Sequence, residues 1–392
     1  MSWEYKTLDQ LGEVSRGRSK HRPRNDSSLF GGEYPFIQTA DVKAANFYIT
    51  EYDTTYNEKG LAQSKLWHPG TLCITIAANI ADTGILAMDA CFPDSVMGFI
   101  PYDEVADVRF VKYCFDILQQ NCKKISQGAA QDNLSWEKLS TILFPAPPVA
   151  VQKKIADILS TFDDLIENNQ KQIKRLEEAA QRLYKEWFVD LRFPGYENTP
   201  IDDGVPEGWQ TQSMNDIAEY INGYAFKPSD WGMTGKPIIK IKEMGSGVTA
   251  DTPRNTGENI PYKYNVSAGD ILFSWSATLS AMIWDEEEGL LNQHLFKVIP
   301  HSGISREFVL QSILKTLDEF SNLTTGSTMK HIQRGKLKEV FVCVPNSEVM
   351  LKYQSVSEPI REQILRIRRQ MILLGEARDR LLPKLMNGEI EV

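Results

Sequence analysis

The chain has few of the residues that build disulfide frameworks and metal sites. Its 392 residues include five cysteines and five histidines, and the cysteines at positions 73, 91, 114, 122 and 343 are odd in number and contain no Cys-x-x-Cys pair. Disulfide-stapled domains and zinc sites require paired or closely spaced ligands. The sequence therefore predicts reduced, buried thiols and no metal ligand set.

Long apolar runs and processing signals are also missing. The most apolar stretch, residues 72–88, is interrupted by Asn79, Asp82 and Gly84, whereas a membrane-spanning helix needs about 20 consecutive apolar residues. The first residues do not form the pattern of a secretory signal. A hydrophobic content of 42% and a charged content of 24% are typical of globular domains. We expect a cytoplasmic protein that does not associate with a membrane.

The sequence lacks the short motifs of nucleotide chemistry and methyl transfer. It contains no GxxxxGK[ST] phosphate loop and no glycine-rich cofactor loop after a predicted strand. It also lacks the Asn/Asp-Pro-Pro-Tyr/Phe tetrapeptide of amino-methyltransferases. The nearest approach, Pro147-Pro148-Val149, has neither the preceding Asn or Asp nor the aromatic residue that would stack on a flipped base. These absences favour a protein without catalytic residues.

An excess of positive charge, which is typical of nucleic-acid-binding domains, is absent as well. The net charge is −9, but its distribution is uneven, with acidic residues clustered at Asp285 to Glu288. Basic residues cluster near the start of the chain, at Arg16, Arg18, Lys20, Arg22 and Arg24. The total charge therefore does not exclude DNA as a partner.

A heptad pattern dominates residues 149–191. Apolar residues recur there at alternating steps of four and three, with charged and amide residues between them, which predicts a long helix that buries one stripe against a partner helix. At 1.5 Å per residue, this helix would be roughly 60 Å long. The seam comprises Ile155, Leu159, Phe162, Ile166, Asn169, Ile173, Leu176, Ala180, Leu183 and Trp187.

The same pattern returns near the end of the chain. Its eight positions each lie 198 residues after one of the eight seam positions from Phe162 to Trp187, so the two predicted helices are copies of each other. The second seam comprises Ile360, Ile364, Ile367, Met371, Leu374, Arg378, Leu381 and Leu385. Asn169 and Arg378 are polar exceptions, and they either fix the register of the helix pair or face a partner protein. We favour the register interpretation.

The globular segments before the two helices are also duplicated. Each opens with a short helical pattern, through Leu8, Leu11 and Val14 in the first segment, and each then has a predicted strand that begins at a proline, 34–38 and 236–242. Two buried strands, a helix, a glycine loop and a short closing helix and strand follow in both. Each segment is predicted to be a mixed α/β domain.

The duplicated order of motifs resembles the specificity (S) subunits of type I restriction-modification enzymes, the HsdS family. The resemblance covers essentially the whole chain and rests on the following segments, repeated in weaker form in the first half: INGYAFKPSDW, GKPIIKIKEM, GDILFSWSATLSA, NQHLFKVIP and TTGSTMKHIQRGKLKEV, followed by the heptad helix. It implies an α/β (α+β) tandem duplication, in which two target-recognition domains are separated by two long helices that form an antiparallel coiled coil.

The resemblance also implies domain limits and partners. We expect a first target-recognition domain at 1–148, a spacer helix at 149–191, a linker at 192–208, a second target-recognition domain at 209–346 and a second spacer helix at 347–392. In that family the S subunit binds double-stranded DNA in bacteria or archaea and carries no cofactor. Two methyltransferase (M) subunits hold S-adenosylmethionine and methylate adenine, and restriction (R) subunits use ATP and Mg for translocation and cleavage. The two seams are the expected surfaces for helix pairing and partner docking.

Candidate DNA contacts are cationic and amide side chains on loops, because bidentate Arg, Lys, Asn and Gln contacts distinguish base edges. The alternative for each is an ordinary solvated face or, at Gly128 and Gly326, a helix cap. In the first domain the candidates are Arg16, Arg18, Lys20, Arg22, Arg24, Gln131 and Asn133. In the second they are Tyr224, Lys227, Lys240, Lys242, Lys330, His331 and Arg334, with Lys240 and Lys242 on one face of a strand.

Two other functional classes remain compatible with the sequence. One is a self-contained methyltransferase or nuclease with a fused recognition half, which the missing tetrapeptide disfavours. The other is a coiled-coil scaffold that binds only proteins, for which two α/β domains would be superfluous.

Overall fold

The computed structural model describes residues 3–76, 82–125, 136–322, 332 and 334–392. The chain divides into two compact units, one formed by Met1–Asn169 together with Met371–Val392 and the other by Gln170–Gln370. Each unit therefore combines a globular segment from one half of the chain with parts of both long helices.

A five-stranded sheet forms the centre of the first unit. Neighbouring strands are antiparallel except for the last pair, which is parallel. The helix Val108–Ile125 covers this sheet, and Phe99, Phe110 and Tyr113 lie in the shared core. The strands, in spatial order, are Gly12–Arg16, Val96–Pro101, Leu72–Thr75, Thr83–Leu86 and Tyr48–Ile49.

The second unit repeats this arrangement with a four-stranded antiparallel sheet. The helix Arg306–Lys315 is buried beside it, with Phe273, Phe296 and Phe308 in the core. The strands, in spatial order, are Ala218–Asn222, Leu295–Pro300, Ile271–Ser274 and Ser280–Ile283. Because these correspond to the first four strands of the other sheet, in the same order, the predicted duplication is confirmed.

Smaller elements complete each unit. In both halves the first strand pairs antiparallel with the last one, which closes the globular segment: Glu4–Lys6 with Phe144–Ala146, and Gln210–Ser213 with Phe341–Val344. The second unit has a further sheet, whose strands in spatial order are Arg254–Asn255, Lys236–Ile239, Gly289–Leu291 and Asn265–Val266.

The remaining strands are Phe30–Pro35 with Thr55–Tyr56, and Ile201–Asp202 with Val205–Pro206. The remaining α-helices are Leu8–Leu11, Thr39–Ala44, Glu58–Ala62, Trp136–Leu139, Met214–Ile217, Ile241–Ser246 and Leu317–Asn322.

The two predicted long helices are present. The first, Val149–Tyr184, continues into the π-helical turn Lys185–Val189, and the second is Ser347–Met386. In the second unit they run antiparallel, since Phe188 contacts Tyr353 with ring centroids 4.8 Å apart while Glu177, eleven residues earlier, lies 2.8 Å from Arg368. The seam residues are buried or half-buried throughout both helices, as the heptad pattern predicted.

Two local predictions are wrong. The opening helix ends at Leu11, and Val14 lies in the strand Gly12–Arg16, whose five residues all pair with residues of the strand Val96–Pro101. Tertiary pairing thus outweighs a helical spacing that extends over only three residues. Pro35 is the last residue of its strand rather than the first.

The predicted strand 236–242 is also shorter than expected. It ends at Ile239, and Lys240 precedes the helix Ile241–Ser246, where the Lys240 N–H donates to the Glu243 carboxylate at 3.0 Å. The buried Glu243 also accepts a hydrogen bond from the Thr252 hydroxyl, and this pairing fixes the helix start. Lys240 and Lys242 therefore do not share a strand face.

The thiols follow the prediction where their side chains are described. Cys73, Cys91 and Cys114 are buried and Cys343 is half-buried, and all four are unpaired. Burial raises the pKa of each of these thiols, which keeps them protonated and unreactive near neutral pH.

Candidate nucleic-acid interface

Residues 16–24 form a segment with five cations, here called the basic segment, that is anchored at Gly17. The Gly17 N–H donates to the Val96 carbonyl at 2.8 Å, and the Arg18 N–H donates to the Phe92 carbonyl at 2.9 Å. A Cβ atom at Gly17 would lie 2.3 Å from the Pro93 carbonyl oxygen, a distance at which the backbone must move. Glycine is therefore required for the segment to pass this close to residues 92–96.

The other side of the basic segment is held by residues 63 and 64. The Ser64 hydroxyl donates to the Arg18 carbonyl at 2.8 Å, and the His21 N–H donates to the Gln63 side-chain oxygen at 2.9 Å. The segment is thus a loop whose backbone is held in place on the first sheet.

A small polar cluster closes the segment. The His21 ring lies 2.9 Å from the Asp26 carboxylate, which also accepts the Ser28 N–H. Hydrogen bonds from the Ser28 backbone and hydroxyl, and then from His21, hold the pKa of Asp26 below its usual value. Asp26 therefore stays ionised near neutral pH and fixes the end of the segment.

Three of the five cations point into solvent. Arg16, Arg18 and Lys20 are exposed, and among the described residues their side chains have no ion pair or hydrogen bond. Such side chains remain available to a phosphate backbone or a base edge.

The other two cations are engaged within the protein. Arg24 donates to both oxygens of Asp94 at 2.7 Å, while Arg22 donates to the backbone carbonyls of Ser19 and His21 at 2.7 and 2.8 Å. Of the five predicted DNA contacts, three side chains are therefore free to reach DNA and two are bonded to other groups of the protein. The sequence pattern does not show this difference.

The second half has the same glycine anchor. Gly223, 206 residues after Gly17, donates its N–H to the Leu295 carbonyl at 3.0 Å, and a Cβ atom there would lie 2.1 Å from the Asn292 carbonyl oxygen. The four residues that follow are Tyr-Ala-Phe-Lys instead of Arg-Ser-Lys-His. The two halves thus present different chemical groups from equivalent anchors.

The candidates after this second anchor differ in exposure. Tyr224 is half-buried against the rings of Phe226 and Tyr264, at centroid distances of 4.9 and 5.5 Å. Lys227 is exposed, and its backbone N–H donates to the Asp230 carboxylate at 2.7 Å. Tyr224 is thus partly a packing residue, whereas the Lys227 ammonium group is open to solvent.

Lys240 lies beside an aromatic residue that sequence reasoning missed. The Lys240 ammonium group sits 4.1 Å from the centroid of the Trp231 ring, a cation–π distance. Trp231 is 47% exposed and Met233 is 75% exposed, and Lys242 is exposed as well. The sequence does contain a sign of this exposed ring: Trp231 stands in a loop rich in Gly, Pro, Ser and Lys, where a buried tryptophan is not expected.

The remaining candidates fall in or beside the glycine loops. Gln131, Asn133, Lys330 and His331, with Gly128 and Gly326, lie outside the described residues. Arg334 is exposed at the first position of the 3-10 turn Arg334–Lys338.

Both long helices carry ionic contacts that tie them to their globular segments. In the first unit the buried Asp163 carboxylate pairs with Arg378 and accepts the Tyr113 hydroxyl at 2.5 Å. Burial alone would lower the pKa of Arg378, but the charge of Asp163 and its hydrogen bond raise it above the usual value. This contact joins the two helices and supports the register interpretation of Arg378.

The equivalent contact in the second unit is a buried ion pair. Arg361 donates to both carboxylate oxygens of Glu307, at 2.8 and 3.0 Å, and Gln311 donates to the same carboxylate at 2.8 Å. The side chains of Arg361 and Glu307 are 7% and 2% exposed. The second long helix is therefore fixed to the domain helix Arg306–Lys315.

The long helices also expose apolar side chains away from the seam. In the first unit these are Ile158, Leu165, Ile372 and Leu373, which are 38%, 45%, 45% and 64% exposed. The heptad pattern, which describes only the seam, did not identify these exposed side chains.

No helix within the described residues is both long and apolar enough to cross a membrane. The same residues contain no group of His, Cys, Asp and Glu side chains arranged to hold a metal ion.

Two similar α/β segments, each with exposed cations beside a glycine anchor and each followed by a long helix, together define a duplicated nucleic-acid-recognition protein.

Comparison with known proteins specifies the class. The model of the family "Type I restriction modification DNA specificity domain" matches residues 1–178 and 206–356. The chain belongs to this family, the specificity subunits that form the non-catalytic DNA-recognition component of type I restriction-modification systems. The family has no catalytic cofactor of its own.

Relatives match over nearly the full length. The specificity subunit of the type I restriction enzyme MjaIX from Methanocaldococcus jannaschii is 27% identical, covering 100% of this chain and 94% of the relative. The specificity subunit of HindI from Haemophilus influenzae is 24% identical, covering 97% and 98%. The crystal structure of the type I restriction-modification S subunit from M. genitalium has a TM-score of 0.56 at 14% identity, covering 98% and 96%, so that it shares the fold.

Proposed function

We propose that the chain recognises a bipartite, asymmetric site in double-stranded DNA and positions methyltransferase and restriction subunits on it. The observation that carries this proposal is the pair of glycine anchors, Gly17 and Gly223, from which two similar sheets present different side chains. Equivalent anchors with different chemistry are what two different half-sites require, because base edges are distinguished by the donors and acceptors that reach them.

In the first half, Arg16, Arg18 and Lys20 contact the DNA, and Arg22 and Arg24 shape the loop that holds them. Exposed cations without carboxylate partners release counterions from the phosphates when they bind. Gln131 and Asn133 supply amide groups suited to adenine edges.

In the second half, the contact surface combines cations with aromatic groups. Lys227, Lys242 and Arg334 are the exposed cations, and the Lys240 and Trp231 pair adds a flat apolar group. Tyr224, Lys330 and His331 complete the proposed set. A surface of this kind differs from the basic segment of the first half, so the two half-sites differ in sequence.

The long helices serve two roles in this proposal. Their seams hold the two halves together, and the exposed apolar residues outside the seams, such as Leu165 and Leu373, contact two copies of the M subunit. The target-recognition domains correspond to 1–148 and 209–346, the spacer helices to 149–191 and 347–392, and the linker to 192–208. The complex acts in the cytoplasm of a bacterium or archaeon, with S-adenosylmethionine in the M subunits and ATP with Mg in the R subunits.

Neutralising the three available cations is expected to reduce the salt dependence of DNA binding. Each phosphate contact contributes about 0.9 to the slope of log affinity against log salt concentration. The variant Arg16→Gln, Arg18→Gln, Lys20→Gln should therefore lose up to about 3 from this slope, which fluorescence anisotropy of the complete complex on its DNA would measure.

The matched control changes the same number of charges elsewhere in the first half. Lys43, Lys59 and Lys154 are exposed, and replacing all three with glutamine keeps the net charge equal to that of the first variant. The proposal predicts a nearly unchanged slope for this control. Equal losses in both variants would show that the basic segment makes no specific contact with DNA.

The isolated chain is expected not to bind S-adenosylmethionine, either alone or with DNA. The basis is the missing cofactor loop and catalytic tetrapeptide in the sequence. Isothermal titration calorimetry checks this, with the M subunit as positive control. Micromolar binding by the chain, or methyl transfer without a partner, would contradict the proposed division of labour.

A further inference from the structure

Residues 231–234, here called the apolar tip, expose two large apolar side chains of the second unit. Trp231 is 47% exposed and Met233 is 75% exposed. Both follow the 3-10 turn Pro228–Asp230 and precede the strand Lys236–Ile239. The segment after the first anchor, residues 18–26, contains no Trp, Tyr, Phe or Met. The apolar tip therefore has no counterpart beside Gly17.

Backbone pairing holds the start of the apolar tip. The Gly232 N–H donates to the Arg254 carbonyl at 2.7 Å, and the Arg254 N–H donates to the Gly232 carbonyl at 2.9 Å. The Asn255 side-chain amide donates to the Asp230 carbonyl at 2.8 Å. The residues on both sides of Trp231 are thus fixed to the strand Arg254–Asn255.

Gly235 holds the end of the apolar tip. Its carbonyl accepts a hydrogen bond from the Arg254 guanidinium group at 2.9 Å, and Arg254 also donates to both Glu287 carboxylate oxygens, at 2.7 and 3.2 Å. Gly235 has a φ of +94°, and a Cβ atom there would lie 2.3 Å from the Asn255 carbonyl oxygen, so glycine is required. Met233 therefore stands on a preformed loop, and binding through it costs little additional ordering.

Lys240 supports the Trp231 ring from one side. Its ammonium nitrogen lies 4.1 Å from the ring centroid, and no carboxylate pairs with it in the part of the chain that the structure describes. Because about half of the Trp231 side chain is still exposed, the ring can receive a second flat group. Stacking of bases on aromatic side chains is a general mode of nucleic-acid binding.

The charges around the apolar tip favour a polyanion as its partner. Residues 223–242 contain four lysines and one acidic residue, in a chain whose net charge is −9. The acidic residue, Asp230, accepts the Lys227 N–H, and Lys236 pairs with Glu288. Lys227 and Lys242 are exposed, and their side chains have no ion pair among the described residues. Duplex DNA offers phosphates to such lysines and an apolar base stack to the tip.

We infer that Met233 enters the base stack of the second half-site as a wedge and that Trp231 packs against the bases it parts. Apolar wedges of this kind unstack a base step and kink the duplex by about 20 to 90°. The inference rests on the proposed function and adds the way in which the second half-site is held. The first half, which has only cations at the equivalent place, binds its half-site without this distortion.

Affinity and its salt dependence test the wedge in the complete complex of the chain with its M subunits. Methylation mapping first defines the target, and fluorescence anisotropy then measures binding. Met233→Ala should weaken binding about tenfold, because a methionine side chain is no longer removed from water. The slope of log affinity against log salt concentration should change by less than one phosphate contact contributes, about 0.9. Since Met233 is exposed, the Tm of the variant should equal that of the wild type.

Bending of the DNA tests the insertion itself. Two dyes on either side of the second half-site report the bend by resonance energy transfer. The wild-type complex should kink this segment by about 20° or more, and Met233→Ala should lose most of the kink. Met233→Leu, which keeps an apolar side chain of similar size, should restore it. The matched control is Ile201→Ala, because Ile201 is 51% exposed in the linker and its removal should change neither affinity nor bend.

Three results would overturn the inference. The first is a Met233→Ala complex that binds and bends DNA as the wild type does. The second is loss of M subunits from this variant in native mass spectrometry, which would show that the apolar tip contacts protein instead of DNA. Both leave the proposed function intact. The third, failure of the wild-type complex to bind a defined site, would overturn the proposed function together with the inference.

Discussion

Replacing Arg361 with alanine is expected to destabilise the second unit by about 3 to 5 kcal/mol. The substitution leaves the Glu307 carboxylate, whose side chain is 2% exposed, without its cation. Gln311 still donates one hydrogen bond, but an amide does not neutralise the charge. Urea unfolding followed by tryptophan fluorescence would measure the loss.

A paired replacement separates the buried charge from the packing. Changing Glu307 to leucine together with Arg361 to methionine removes both charges and keeps most of the volume, and such replacements of buried ion pairs are often close to neutral. The exposed Arg380→Ala change should stay within about 0.5 kcal/mol. A double variant as unstable as Arg361→Ala would show that the ion pair itself, rather than the unpaired charge, determines the effect.

In the bipartite site proposed above, adding one heptad to each long helix is expected to lengthen the unread gap between the two half-sites by about three base pairs. The boundary between the units crosses the helices after Asn169 and after Gln370, so seven residues inserted at both places keep the seams in phase. Seven residues add roughly 10 Å, and base pairs are stacked about 3.4 Å apart. Methylation mapping in cells that express the M subunit would read out the gap.

Two further variants complete that experiment. Exchanging residues 1–147 for the corresponding segment of a relative should change one half-site and leave the other half-site and the gap intact. Seven residues inserted in the exposed turn Tyr196–Asn198 should change neither half-site and should leave the gap at its original length. A single continuous motif, or simultaneous change of both half-sites after the exchange, would contradict the bipartite model.

The sequence predicted the elements whose signal is long or repeated. The heptad seams predicted both long helices, because over four heptads no competing pattern fits, and the repeated order of motifs predicted the duplicated sheets. Short segments were less predictable. Val14 fits a helix or a strand by spacing, and pairing with the strand Val96–Pro101 decides between them.

The candidate site was only partly predictable, for a different reason. Charge patterns indicate where cations lie in the sequence but do not show which are already paired. Arg24 is held by Asp94, 70 residues away, and Trp231 meets Lys240 only because a loop and a helix start are brought together. Availability of a side chain depends on tertiary contacts, which local sequence does not encode.

The pairing of first and last strands in each globular segment brings its two ends side by side. Glu4 lies opposite Ala146, and Gln210 lies opposite Val344, so the ends are separated by little more than the spacing of neighbouring strands, about 4.8 Å. In a segment taken by itself, a short peptide bridge across this distance would join its two ends and allow new termini to be opened elsewhere in it. We therefore expect the isolated segment to tolerate circular permutation, in which the order of its strands along the gene changes while every strand keeps its neighbours.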